Sequence, residues 1–235
     1  MPPSPPTLVP FYLVVDVSQS MDGGRLERVN QILRRLSATL AGDQRANDRV
    51  RICMIDFAGD SRLVLPLCDL LTTATLPVLA TRDDGTRYAP ALELLGHTIE
   101  RDARQLAADG FVVGPPGVFF LSDGRPFDDE PGSWEAAFAR LIAAPGGPVT
   151  VVPCAIGESD PVIMRALANP RATAPVFVQG DDASPEAAIS ALIDVVIASV
   201  ISSGREETVV IPGSELDDLI TWIAEPPEEW ITGLQ

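Results

Sequence analysis

An unbroken apolar run at residues 11–15, Phe-Tyr-Leu-Val-Val, ends on Asp16. Short and rich in β-branched and aromatic side chains, it predicts a strand buried on both faces. Past the turn residues Met21-Asp22-Gly23-Gly24, the apolar positions change period. Leu26, Val29, Leu33, Leu36 and Leu40 recur at spacings of three and four, which predicts one amphipathic helix. Residues 50–57 read as the next strand. The turn Ala58-Gly59-Asp60-Ser61 returns the chain through residues 62–67, close enough for an antiparallel hairpin at the edge of a sheet. The same reading gives a helix at 89–108, strands at 117–121, 149–156 and 176–178, and helices at 133–143 and 161–168. Ser184-Pro-Glu opens a last helix with a capping side chain and a proline in the first turn.

Strands that alternate with helices predict an α/β, doubly wound, mostly parallel sheet covered on both faces. With 235 residues, no internal repeat and no interior linker, one domain is expected. It should span residues 9–203, between a disordered proline-rich lead at 1–8 and a tail at 204–235. That tail is acidic (Glu206, Glu207, Asp217, Asp218, Glu225, Glu228, Glu229) and carries Trp222 and Trp230. A solvated end and an acidic, aromatic docking segment are both open readings of it.

Charge narrows the range of partners. The formal net charge of −16 opposes binding to nucleic acid or to an anionic membrane and suits cations or basic partners. Every basic residue is arginine and none is clustered. Cys53, Cys68 and Cys154 are odd in number, far apart and set in apolar sequence, as expected of reduced thiols in a cytoplasmic protein, and no C-x-x-C pair suggests zinc. The N-terminus lacks the basic and apolar regions of a signal peptide. The apolar stretch 187–201 carries Asp194 and reads as too short to cross a bilayer.

The chemistry concentrates where the first strand ends. Asp16, Ser18 and Ser20 put oxygen side chains at alternate positions on a strand, loop, helix corner, where open α/β sheets hold ligands. One carboxylate and two hydroxyls suit Mg²⁺, with Mn²⁺ or Ca²⁺ as alternatives, and the lack of His and Cys argues against zinc or copper. The same residues are also common helix caps, so the triplet alone leaves both readings open. Two distant segments add to it. Asp83-Asp84-Gly85-Thr86 precedes the helix at 89–108, and Ser122-Asp123-Gly124 follows the strand at 117–121. Each sets an oxygen donor beside a glycine that permits close backbone approach.

In order and spacing, Asp16-x-Ser18-x-Ser20, Gly85-Thr86 and Ser122-Asp123-Gly124 resemble the metal-ion-dependent adhesion site of von Willebrand factor A domains. The likeness runs over residues 9–203. Residues 11–21 with Val29-Asn30, Ile55-Asp56-Phe57 and Leu121-Ser122-Asp123-Gly124-Arg125-Pro126 resemble the bacterial TerY-like branch, linked to tellurium resistance. The resemblance implies a Rossmann-like sheet of six strands with one antiparallel edge. It implies a metal held by Asp16, Ser18, Ser20, Thr86 and Asp123, with one position left for a partner's carboxylate. It further implies a non-catalytic adaptor in a bacterial stress-response assembly, with kinase-like and PP2C-type phosphatase partners.

Asp83, Asp84, Asp128, Asp129 and Glu130 either deepen the negative field at this site or simply form turns. A phosphotransferase of haloacid-dehalogenase type would use an Asp in the place of Asp16. It would also need a second acid where Ser18 stands, and a lysine, which the chain lacks. His97, the only histidine, lies in a helical pattern, and no G-x-S-x-G or phosphate loop occurs. A structural subunit with a vestigial site is the remaining alternative.

Overall fold

The computed structural model describes residues 5–82, 85–128, 130–144, 147–157, 160–171, 173–212 and 220–223, the last four as backbone only. The apolar run forms the centre of β1 (Thr7–Asp16), flanked by the parallel strands β2 (Val50–Phe57) and β5 (Gly117–Ser122). β3 (Ser61–Cys68) returns antiparallel to β2. β6 (Thr150–Ala155) and β7 (Val176–Gln179) extend the sheet in parallel from β5. These six strands, in the order β3-β2-β1-β5-β6-β7, make the Rossmann-like sheet with one antiparallel edge.

Two strands were not foreseen. β4 (Val112–Val113) pairs with the first residues of β1, and β8 (Ile220–Ile223) adds antiparallel to β7, so among the described residues the sheet has eight strands and a second antiparallel pair. A two-residue strand has no periodicity to read. β8 falls within the expected acidic tail, and β1 starts inside the expected lead. The rest of the chain from residue 213 onward lies outside the described residues, so the proposed docking role of the tail does too.

Alternate residues of each strand enter two cores. Phe11, Leu13 and Val15 of β1 face one side with Ile52, Met54, Phe119 and Leu121. They pack beneath α1 (Gly24–Val29), α2 (Ile32–Ala41) and α7 (Pro185–Glu206). Tyr12, Val14, Cys53, Ile55, Phe57 and Phe120 face the other side, under α4 (Tyr88–Ala108) and α5 (Ser133–Ala143). The period of two in β1 therefore serves both cores, which is why its sequence is apolar without interruption.

The single helix expected over Leu26 to Leu40 is in fact two. Asn30 ends α1, and its side-chain amide accepts from the Leu79 N–H at 2.7 Å and donates to the Leu79 carbonyl at 3.0 Å. The apolar spacing survives the break because both short helices cover the same face of the sheet. α3 (Gln44–Arg49), whose sequence has no apolar stripe, is held instead by its cap: Asp43 accepts from the Ala46 N–H at 3.0 Å. A short helix, α6 (Pro161–Ala166), follows β6, capped by Asp160. The expectation that the late apolar stretch is too short to span a bilayer is corrected by α7, whose 22 residues are long and apolar enough to do so. It packs on the sheet through Ala188, Ile189, Leu192, Ile193, Val196 and Val200, all buried.

Candidate metal centre

Strand order reverses between β1 and β5, and the loops at their carboxyl ends enclose a polar cleft. Asp16 is the last residue of β1 and wholly buried. One of its oxygens accepts from the Ser18 N–H at 2.9 Å, the other from the Ser122 hydroxyl, at the end of β5, at 2.6 Å. Ser18 and Ser20 lie 3.1 Å apart, hydroxyl to hydroxyl, and Ser20 donates to Asp123 Oδ1 at 2.7 Å. Ser20 is exposed, so the cleft opens to solvent there.

Thr86 comes from a third loop, which the β2–β3 turn holds in place. A Cβ on Gly85, at φ +153°, would come within 3.2 Å of the Gly59 Cα, and the Arg87 N–H donates to the Ala58 carbonyl at 2.8 Å. Only glycine allows the two backbones to lie this close. Across the cleft, a Cβ on Gly124 would stand 3.4 Å from the Thr86 hydroxyl oxygen. Tyr88 and Thr86 tie that loop down: the Tyr88 hydroxyl donates to the Gly124 carbonyl at 3.1 Å, and the Phe127 N–H donates to the Thr86 carbonyl at 2.7 Å. All five residues expected from the sequence therefore lie on three adjoining loops.

Burial raises the Asp16 carboxyl pKa from 3.8 to about 6, despite the Ser122 and Ser18 hydrogen bonds that favour its charge, and nearby Asp123 pushes the same way. Its partners are all neutral donors. Among the described residues no arginine pairs with it. The donor set fits a hard cation. Two ligands side by side on an octahedral ion at 2.1 Å would lie about 3.0 Å apart, close to the Ser18–Ser20 and Ser20–Asp123 spacings. Among the described residues no three His, Cys, Asp or Glu side chains converge anywhere. Two carboxylates with three hydroxyls make an oxygen site of low charge.

Two residues at the cleft escaped the sequence reading. Ser122, which the motif places beside Asp123 without a role of its own, holds an oxygen of Asp16. Arg25, in the first turn of α1, donates from Nη1 to Asp123 Oδ2 at 2.5 Å and to the Ser20 carbonyl at 2.9 Å. A positive charge directly after the two glycines is the available signal, but the partner is 98 residues away in sequence. Of the residues considered for the surrounding field, Asp128 caps α4 by accepting from the Ala89 N–H at 3.0 Å, and the Glu130 carbonyl accepts from Ser133 N–H. Both act as turn and cap formers. Asp83, Asp84 and Asp129 lie outside the described residues. His97 is exposed on α4, and Cys53, Cys68 and Cys154 are all free thiols.

A doubly wound, mostly parallel α/β sheet with helices on both faces and an oxygen cluster at its switch point defines the class of fold. Within that class, the fold is that of the von Willebrand factor type A domain, and residues 11–125 match the family model of that description. No curated protein matches the chain. Among solved structures, a von Willebrand factor type A protein from Catenulispora acidiphila is similar with a TM-score of 0.57 at 18% identity, over 83% of this chain and 43% of that one. Proximal thread matrix protein 1 from the mussel byssus, with a zinc-occupied MIDAS motif, gives 0.56 at 14% identity over 84% and 48%. An aerotolerance-related membrane protein from Bacteroides fragilis gives 0.52 at 17% identity over 83% and 99%. The chain thus spans under half the length of the first two, and at these identities the likeness is one of fold.

Proposed function

We propose that this chain is a metal-dependent protein-binding module whose cation is held by Asp16, Ser18, Ser20, Thr86 and Asp123. The observation that carries this reading is the state of Asp16: a wholly buried carboxylate with only neutral partners, facing an opening lined by oxygen donors. A buried charge without a counter-charge is costly, and a divalent ion entering from the Ser20 side would supply one. Mg²⁺ fits best by donor hardness, with Mn²⁺ or Ca²⁺ as alternatives. The zinc in the mussel protein makes Zn²⁺ a further ion to compare. When bound, the ion would act as a Lewis acid toward an incoming Asp or Glu. The protein would orient that carboxylate and exclude competing water around Asp16.

The module is proposed to be non-catalytic. Ser18 stands where a phosphotransferase would need an acid, and the chain has no lysine. The TerY-like residues support a bacterial stress-response adaptor, cytoplasmic and of tellurium-resistance type, with kinase-like and PP2C-type phosphatase partners and no nucleic acid or membrane contact. The proposed domain is 9–203, extended by the end of α7.

Calorimetry with Mg²⁺ and Mn²⁺, paired with capture of proteins from a bacterial lysate in Mg²⁺ or in EDTA, tests the reading. Binding of one ion per chain is expected, lost in Asp16→Ala. A captured set that EDTA and Asp16→Ala both remove is the expected second result. Retention of the same proteins under all conditions would sink the adaptor role.

A further inference from the structure

The Asp123 carboxylate is divided between two partners. One oxygen takes the Ser20 hydroxyl and the other takes Arg25. The Asp123 side chain is 0% exposed and that of Arg25 26% exposed, so the pair sits at the wall of the cleft and is only partly screened by water. The guanidinium is also confined. A Cβ placed on Gly157, after β6, would lie 3.5 Å from both of its terminal nitrogens, and Nη1 holds the Ser20 carbonyl as well. Arg25 thus joins α1 to the loops after β1 and β5 and lies against the loop after β6, without touching Asp16.

A charge count shows what this placement does. Asp16 and Asp123 contribute two negative charges and Arg25 one positive, so the empty cleft carries a net charge of −1 and the cleft with a divalent ion +1. Without Arg25 those values become −2 and zero. The two events at such a site respond to this charge in opposite directions. Cation entry is favoured by a more negative cleft, whereas capture of a carboxylate by the bound cation is favoured by a more positive one.

We propose that Arg25 is the specificity-determining residue of this centre: it keeps the metal-filled cleft positive, and so selects an acidic side chain over a neutral one as the last ligand, at the expense of metal affinity. The inference rests on the metal-dependent reading above. A guanidinium serving only as a clamp on Asp123 would behave differently, because its loss would loosen a donor and weaken both events together.

The test uses Arg25→Gln and Arg25→Lys in the full chain, with Mn²⁺ as the metal and acetate as the acidic probe. Acetate binding is read from the paramagnetic relaxation of its methyl protons by the bound Mn²⁺, with acetamide as the neutral control. Arg25→Gln should bind Mn²⁺ about three- to tenfold more tightly and, once loaded, acetate about fivefold more weakly. Acetamide should not change, and Arg25→Lys should restore both values toward wild type. In EDTA, Arg25→Gln should melt at a lower temperature, because buried Asp123 has lost its counter-charge. If Arg25→Gln does not fold, Arg25→Lys alone decides, since a shifted but charged headgroup should hold the acetate preference.

Weaker Mn²⁺ binding by Arg25→Gln, or unchanged acetate binding, overturns the proposal and leaves the metal site standing. A wild-type chain that takes up no Mn²⁺ defeats the metal site and this inference with it.

Discussion

Two carboxylates end neighbouring parallel strands, and the fold treats them in opposite ways. Asp16 closes β1; Asp56 lies near the end of β2, paired in register with Val15. Both are buried, at 0% and 1% exposure. Asp56 is met by charge: Arg62 holds it through Nε at 3.1 Å and Nη2 at 2.7 Å, and Arg82 through Nη2 at 2.9 Å. Asp16 is met by neutral donors alone among the described residues, from Ser18 and from the Ser122 hydroxyl. One site is electrostatically complete, with the fork geometry that suits arginine to carboxylate. The other has no cationic side chain beside it among the described residues, and burial raises its pKa. A buried acid is thus a functional candidate when its neighbours leave its charge unanswered, and burial alone does not distinguish the two.

Exchanging each acid for alanine should separate these roles by the largest margin. Asp16→Ala is expected to weaken Mn²⁺ binding by roughly a thousandfold, about 4 kcal/mol. Asp56→Ala should leave Mn²⁺ affinity within about threefold and instead lower stability to urea by about 3 kcal/mol, the scale for breaking a buried pair. Arg82 keeps its backbone bond to the Val17 carbonyl in that variant, at 2.8 Å, so the metal loops should hold. Equal loss of metal binding in both variants would remove the distinction.

Without metal, the uncompensated charge should be visible in stability. The Asp16 pKa is about 6 in the fold against 3.8 for the free group, so folding favours the protonated acid. Its contribution is therefore fully present below about pH 4 and is lost as pH rises through 6, a change of about 3 kcal/mol at 1.4 kcal/mol per pH unit. Asp16→Asn in EDTA should accordingly be more stable than wild type by about that amount at pH 8 and equal to it near pH 4. Urea unfolding at several pH values measures this. A variant less stable than wild type at pH 8 would falsify the account.

The same titration should govern the ion. Protons and metal compete for Asp16, so Mn²⁺ affinity should be flat above pH 7 and fall by about tenfold per pH unit below 6. Calorimetric titrations at pH 5, 6 and 7.5 check the slope.

How much of this contrast could be read from the chain depends on how local each cause is. The strands of the six-stranded core were legible because their apolar runs need no partner to identify them, and the cap of α7 because Ser184 bonds within three residues. The five oxygen donors were legible as spacings. What answers or fails to answer a charge was not. Arg25 reaches Asp123 across 98 residues, Arg82 reaches Asp56 across 26, and Asn30 splits a helix for the sake of Leu79, 49 residues on. Each is an agreement between segments that only the folded sheet brings together. Residues 55–57 read as a strand whether Asp56 is a ligand or a structural acid, and nothing within the strand tells them apart.

The neutral donors give the smallest and sharpest test of the comparison. If Asp16 is the site's one irreplaceable charge, a hydroxyl around it should be exchangeable for water, because Mg²⁺ and Mn²⁺ keep several waters readily. Thr86→Val removes a hydroxyl while leaving a branched side chain against Gly124 and the Thr86 carbonyl that accepts from Phe127 N–H. Its Mn²⁺ affinity should fall by only about fivefold, near 1 kcal/mol, with metal-free stability within about 1 kcal/mol of wild type. Arginines cannot be exchanged for water around Asp56 on such terms, since they supply the counter-charge itself. A Thr86→Val protein that binds no Mn²⁺ would place a neutral oxygen on the same footing as Asp16, and the division between a charge that waits for its cation and donors that only arrange it would fail.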